Sequence, residues 1–258
     1  MNNGNRTAVI TGASRGIGRA TAIRLAEDFT NIVLVARSWD GLEEVATIVR
    51  ATGREALSLP FDLREPTAAN AVVTRTLDRF GRIDALINIA GAVPQADLFT
   101  MTDEEWADGL SLKFHGARRL TIQAWQALCQ TKGSVVFMSG SSAITPKASF
   151  AAVGTINAAI SALAKTFAER GIAEGVQVNS VLPGPAMTGR RRSMLEKYAA
   201  THNLAFEQAV ERFAQETGIT RYGTPEDIAA LIAFIVSPPA QWMTGSMLRM
   251  DGGEIKAL

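Results

Sequence analysis

The sequence predicts an α/β protein: a doubly wound parallel sheet with helices on both faces and a helical lid. Three observations carry this. Short apolar runs alternate with longer stretches of helical period along the whole chain. The runs are apolar at nearly every position, as expected of strands buried on both faces. The length of 258 residues suits one large α/β domain spanning residues 1–258.

The first strand is Thr7-Ala8-Val9-Ile10-Thr11, followed through a glycine turn by a helix over about residues 16–28. Ile32-Val33-Leu34-Val35-Ala36 is the second strand, and residues 56–61, 83–87, 134–138, 176–181 and 247–250 are the others. Helices are expected near 40–52, 66–80, 103–130, 149–173 and 225–237. Glu65-Pro66 opens the third helix, since proline suits a first helical turn. Gly53, Gly81 and Gly175 follow helical runs, where a glycine stop is expected. A long insertion at about 189–223 carries helix-like segments at 194–200 and 205–216. Lying beyond the carboxyl end of a strand, it suits a substrate lid.

Composition excludes several function classes. Hydrophobic residues at 47% and charged residues at 20% exclude a disordered chain. Lys+Arg of 26 against Asp+Glu of 25 leaves a net charge of +1, which excludes nucleic-acid binding by bulk charge. Cys129 is the one cysteine, so no internal disulfide forms and a reducing compartment fits. The histidines are His115 and His202, too few with Cys129 for a His/Cys metal site, so no metal is expected. No signal peptide and no membrane-spanning run is evident, giving the expectation of a soluble, cytoplasmic protein. The two tyrosines are Tyr198 and Tyr222.

The turn after the first strand reads Thr11-Gly12-Ala13-Ser14-Arg15-Gly16-Ile17-Gly18. Such a strand-to-helix turn lets backbone N–H groups and a helix N-terminus approach a pyrophosphate. Gly12 serves the tight turn, Gly16 the close approach and Gly18 the helix–strand packing. The second strand ends in Ala36-Arg37-Ser38 rather than in an acid. An acid there would take the ribose hydroxyls of NAD. Arg37, with Arg15 in the cradle, favours the 2′-phosphate of NADP(H).

Further motifs follow in order: Asp62-Leu63 after the third strand, Asn88-Ile89-Ala90-Gly91 after the fourth, Pro183-Gly184-Pro185-Ala186-Met187-Thr188 after the sixth, and Asp251-Gly252-Gly253 near the end. With the cradle, they make the chain resemble the short-chain dehydrogenase/reductase family over nearly its whole length. The resemblance implies a Rossmann-type, seven-stranded domain in a homotetramer or dimer, acting on a small-molecule substrate. It implies cofactor contacts from Gly12, Ser14, Arg15, Gly16, Ile17, Gly18, Arg37, Asp62, Leu63, Asn88, Ala90, Gly91, Pro183, Gly184 and Thr188. Asp62 would face adenine, and Thr188 the nicotinamide carboxamide.

The same resemblance implies a catalytic Asn, Ser, Tyr and Lys. Tyr and Lys four residues apart share a helix face, and the ammonium lowers the tyrosine pKa. The phenol then moves a proton at the substrate oxygen. In this chain the tyrosine position falls on Val153 and the lysine position on Asn157. The serine position falls on Gly140, with Ser139 and Ser141 beside it, and the asparagine position on Lys113.

Lys113, Ser141 and Asn157 are therefore the candidate catalytic set. Lys113 has two readings: a desolvated acid in the cavity, or a lysine that reaches solvent or a subunit contact. Lys147 and His115 are expected at the surface, Tyr198 and His202 on the outside of the lid, and Cys129 as a small buried side chain. Arg190-Arg191-Arg192 either meets an anionic substrate or forms a solvated helix start, the latter being expected. Three functions follow: an oxidoreductase with an unorthodox proton donor, a catalytically silent NADP(H)-binding protein, or a non-redox enzyme reusing the pocket.

Overall fold

The computed structural model describes residues 5–256; the polar Met1–Gly4 lies outside the described residues. The strands are β1 (Thr7–Thr11), β2 (Asn31–Ala36), β3 (Glu55–Pro60), β4 (Ala85–Asn88), β5 (Ser134–Met138), β6 (Gln177–Pro183) and β7 (Met247–Met250). They form a seven-stranded sheet in the order β3-β2-β1-β4-β5-β6-β7, with every pairing parallel. The helices are α1 (Gly16–Leu25), α2 (Trp39–Ala51), α3 (Ala68–Phe80), α4 (Asp103–Gly109), α5 (Ala117–Thr131), α6 (Ala151–Glu174), α7 (Gly189–His202), α8 (Phe206–Thr217) and α9 (Pro225–Ile235). The expected doubly wound sheet is present.

The alternation of side chains along β1 shows why its run is apolar throughout. Ala8 and Ile10 enter one core with Leu25, Leu42 and Ile232 from α1, α2 and α9. Val9 points the other way, into a core with Val72, Leu120 and Ile160 from α3, α5 and α6. A strand with helices on both faces has no polar side to present. Burial of these two apolar layers is the main stabilising term.

Boundaries follow local chemistry. Ser38 accepts from the Gly41 N–H at 3.3 Å and starts α2. Thr102 and Glu105 bond each other's backbone N–H groups at the start of α4. Pro66 lies in the turn before α3, whose first residue is Ala68. The expected 103–130 helix is interrupted: Leu110–Gly116 is a π-helical stretch between α4 and α5. The lid helix α7 begins at Gly189, five residues before the expected 194. Its start is set by Thr188, whose hydroxyl accepts from the Arg191 N–H at 3.3 Å.

The helical run Ala148–Glu174 is long and apolar enough by composition to cross a membrane, with a mean hydropathy of 1.3. Asn157, Ser161 and Lys165 interrupt its apolar positions. In the fold, Ile160, Ala164 and Ala168 pack into the core beneath β5 and β6.

The turn after β1 brings backbone to backbone. A Cβ at Gly18 would lie 2.1 Å from the Gly12 carbonyl oxygen. Gly12 itself takes φ +67°, and a Cβ there would lie 3.1 Å from the Ala90 backbone. At Gly189 nothing lies within 4 Å of such a Cβ. Gly18→Ala is therefore expected to destabilise the protein by about 1–3 kcal/mol, the usual range for forced overpacking. Gly189→Ala is expected to be neutral or slightly stabilising. Denaturant melts of the two variants check this; equal midpoints would contradict the packing account.

Candidate functional site

The strand order reverses between β1 and β4, and the crevice beyond their carboxyl ends is where open α/β sheets bind ligands. A cleft of about 1180 Å³ lies there. One end is walled by Gly12, Ser14, Arg15, Gly16, Ile17 and Gly18 from the turn after β1. Arg37, Asp62 and Leu63 close the side toward β2 and β3. Ala90, Gly91, Lys113 and Thr188 line the other end, with Arg190 from the lid.

The cradle is held open from below. The Thr11 hydroxyl accepts from the Ile89 and Ala90 N–H groups, each at 2.9 Å, and donates to the Ile87 carbonyl at 3.4 Å. This ties the end of β1 to the loop after β4 across the switch point. The glycines leave no side chain between backbone and cleft, so the turn fits a pyrophosphate.

At the β2 end, the Arg37 side chain is 67% exposed and its closest acid, Asp62, is 3.9 Å away. Asp62 also accepts from the Arg64 backbone N–H at 3.0 Å. Arg64 grips Asp108 at 2.6 and 2.9 Å. That pairing raises the Arg64 pKa and lowers the Asp108 carboxyl. Arg37 is thus a weakly engaged guanidinium beside the cleft, and Arg15 forms no ion pair among the described residues.

Three of the expected cofactor residues lie away from this cleft. Asn88 is buried beneath it, donating to the Thr121 hydroxyl at 3.1 Å. Gly184 packs against Asp251, where a Cβ would lie 2.6 Å from the Asp251 Cα. It lines a separate cavity of about 210 Å³ with Met250, Arg221 and Asp227. Pro183 ends β6 beside it, paired with Met250.

At the other end the π-helical stretch delivers Lys113. A π turn inserts a residue and re-aims the side chains that follow, and such turns gather at functional sites. The Lys113 stem lies against Gly91, where a Cβ would be 3.0 Å from the Lys113 Cδ. Its ammonium donates to the Ser139 carbonyl at 3.2 Å and to the Asn157 side-chain oxygen. The Asn157 amide in turn donates to the Ser142 hydroxyl at 2.8 Å. Ser161 donates to the Ser139 hydroxyl, which donates to the Asn157 backbone carbonyl at 2.8 Å. No carboxylate pairs with Lys113 among the described residues. Loss of water around the ammonium, and secondarily the charge of Arg190, push its pKa down to about 8.

Lys113 and Asn157 are therefore brought together. Ser141, although buried, is not the serine that joins them; Ser142 and Ser139 are. The Ser141-Ser142 pair was the available signal, but only the backbone turn after Gly140 decides between them. Gly140 is required for a steric reason: a Cβ there would lie 2.6 Å from the Asn157 side-chain nitrogen. Val153 packs with Val93, Trp106 and Ile156 in a small apolar cluster.

The remaining candidates lie elsewhere. Tyr198 stacks on His202 at 4.1 Å and donates to Glu216 on the outside of the lid. The Cys129 thiol, 3.8 Å from Glu174, is pushed up in pKa by burial and by that carboxylate. Arg192 pairs with Glu196 at 3.0 Å in solvent, as expected. Arg191 departs from the solvated helix start: it is half-buried, with its guanidinium 5.6 Å from the Phe213 ring centre. Arg190 stays at the open lip of the cleft, donating to the Val93 carbonyl at 2.7 Å.

Comparison with known proteins agrees with this architecture. Residues 12–254 match the family described as enoyl-(acyl carrier protein) reductase. The chain is 30% identical over 246 residues to the short-chain reductase protein NovJ of Streptomyces niveus, covering 95% of this chain and 92% of that protein. It is 30% identical over 253 residues to a 3-oxoacyl-[acyl-carrier-protein] reductase of Synechocystis, covering 97% of each. L-sorbose reductase from Gluconobacter frateurii, solved with NADPH and L-sorbose, superposes with a TM-score of 0.94 at 29% identity, covering 98% of each chain. Actinorhodin polyketide ketoreductase with NADPH gives a TM-score of 0.91 at 26% identity, again covering 98% of each. The matched span takes in the glycine cradle, the switch-point cleft and all strands but the first, and the chain belongs to the short-chain dehydrogenase/reductase family of oxidoreductases.

Proposed function

We propose that the protein is an NADP(H)-dependent oxidoreductase acting on a small carbonyl or hydroxyl compound, with Lys113 as its proton donor. The observation that carries this is the contact between Lys113, which lines the cleft, and the buried Asn157 behind it. The family pattern sets asparagine at position 113 and lysine at position 157; this chain exchanges them. An ammonium is thus retained at the same contact but supplied from the opposite side. Gly140 belongs to the same set, since a serine there would collide with the Asn157 amide.

Arg37 and Arg15 hold the 2′-phosphate, the turn from Gly12 to Gly18 the pyrophosphate, and Thr188 the carboxamide. The two solved relatives named above carry NADPH. Bound NADPH supplies the hydride. Lys113 supplies the proton that balances it: as the substrate oxygen gains charge, an N–H of the ammonium is transferred to it and a neutral amine remains. An ammonium has three N–H donors, and Asn157 and Ser139 engage two. Those two acceptors orient Nζ. Bulk water restores the proton.

The chain works as a soluble assembly of identical subunits in this reading, as the family resemblance implies, in the cytoplasm. One domain spans residues 1–258, with α7 and α8 forming the lid over residues 189–223.

Replacing Lys113 by Met is expected to lower kcat for carbonyl reduction by about 10²- to 10⁴-fold, the usual range for losing a general acid. NADPH affinity is expected to persist. With the Lys113 pKa at about 8, the charged donor predominates below that pH and is lost above it. Reduction by the parent protein should therefore fall as pH rises through about 8, and alcohol oxidation, which needs the neutral amine, should rise. A pH–rate profile in both directions checks the sign; an identical alkaline limb in Lys113→Met would assign it elsewhere.

Arg37→Asp is expected to weaken NADPH binding by about ten- to hundredfold, the range for one charge-assisted bond, with less effect on NADH. Equilibrium titration with each nucleotide measures it.

Asn157→Lys sets two ammoniums in contact and is expected to destabilise the protein. Adding Lys113→Asn removes the like-charge contact and should recover most of the loss. A denaturation double-mutant cycle reads the coupling; additive losses would refute the exchange.

A further inference from the structure

Two cations border the same end of the cleft, and neither forms an ion pair with an acid among the described residues. Arg190 and Lys113 are close enough for the Arg190 charge to depress the lysine. They straddle one short loop: Gly91 carries the Lys113 stem, and the Val93 carbonyl receives Arg190. The acid lining the cleft, Asp62, lies at the β3 end and is engaged by Arg64 and Arg37. Three other guanidinium groups of the same region are paired with acids: Arg192 with Glu196, Arg212 with Glu216, Arg221 with Asp227. Arg190 differs. One of its N–H groups is spent on a backbone carbonyl, and a guanidinium has five. Like charges placed together without a counter-ion repel unless a ligand supplies the opposite charge.

We infer that the substrate is an anion, a carbonyl compound whose carboxylate or phosphate is held by the Arg190 guanidinium while its carbonyl faces Lys113. This rests on the function proposed above and names its substrate class. The planar fork of arginine matches either oxyanion in a bidentate manner, and Val93 fixes the fork at the lip of the cleft. An anion bound there also favours the charged form of Lys113, the form that gives up a proton in reduction. A second oxyanion could compete for Arg190, namely the pyrophosphate of the cofactor, and the test separates the two.

The experiment uses the full-length protein saturated with NADPH and two matched pairs of probes: acetoacetate against acetoacetamide, and dihydroxyacetone phosphate against dihydroxyacetone. Calorimetry reads binding and NADPH absorbance reads turnover, in the parent protein, Arg190→Ala, Arg190→Lys and Arg192→Ala. The expected result is that at least one anion binds about ten- to hundredfold more tightly than its neutral partner. That advantage should vanish in Arg190→Ala, partly return in Arg190→Lys and be unchanged in Arg192→Ala. Which pair shows it tells carboxylate from phosphate. Equal binding of anion and neutral partner in both pairs would overturn the inference. So would a tenfold or greater loss of NADPH affinity in Arg190→Ala, which would give Arg190 to the cofactor. Arg190-dependent anion binding without any NADPH oxidation would uphold the anion site and overturn the oxidoreductase reading instead.

Discussion

Lys113 brings a positive charge to the wall of the cleft and meets only neutral oxygens, the Asn157 side chain and the Ser139 carbonyl. Removing an ammonium from water is costly unless its protons are taken up, so the surrounding residues are constrained together. A side chain at Gly91 would press on the lysine stem, and one at Gly140 would displace the Asn157 amide. Asn157 must present its oxygen to the lysine, which turns its nitrogen to Ser142. The π-helical stretch between α4 and α5 carries Lys113, whose ammonium reaches Asn157 on α6. A change at any of these positions is felt at the others, as expected of contacts that share one buried network.

This network and the cradle meet at the loop after β4, where Ala90 abuts Gly12 and Gly91 abuts Lys113. Thr11, Gly12 and Gly18 act at the end of β1, tied to that loop. Ser139 follows β5, Asn157 lies on α6 and Lys113 on the π-helical stretch between α4 and α5. The parallel sheet joins them, because β4 lies between β1 and β5 and the carboxyl ends of all three face the same crevice. The cradle and the Lys113 network thus share the loop after β4, and substitutions at neighbouring positions of one loop are expected to couple.

The sheet and the cradle were legible in the sequence, because their signals are local. An all-apolar run marks a strand covered on both faces, and a glycine-rich turn between strand and helix marks a close approach of backbones. The site at the other end was legible only as a set of positions. The π turn that carries Lys113 to Asn157 leaves no trace in the spacing of apolar residues from 103 to 130. Ser141 and Ser142 differ by one step along a short helical turn, which sequence reasoning has no means of orienting. The start of α7 was placed late because its first turn, Gly189 to Arg192, carries no apolar residue. The half-buried Arg191 was hidden for the related reason that its cover, Phe213, comes from α8.

With Lys113 as the proposed donor, its chemistry accounts for a neutral side chain at position 157. A phenol that gives up a proton becomes an anion, so it works best beside a fixed cation, and the usual lysine supplies that charge. An ammonium that gives up a proton becomes a neutral amine and needs no such companion. A lysine at 157 would oppose the donor by repelling its charged form. With the charge moved to Lys113, asparagine at 157 orients Nζ without competing for charge, and position 153 is freed from carrying a hydroxyl. Val153 joins Val93, Trp106 and Ile156 in an apolar cluster. Loss of water around the ammonium is the larger cause of its lowered pKa. In the proposed reading, Val153 and Asn157 are thus one arrangement, both following from a positive charge carried by Lys113.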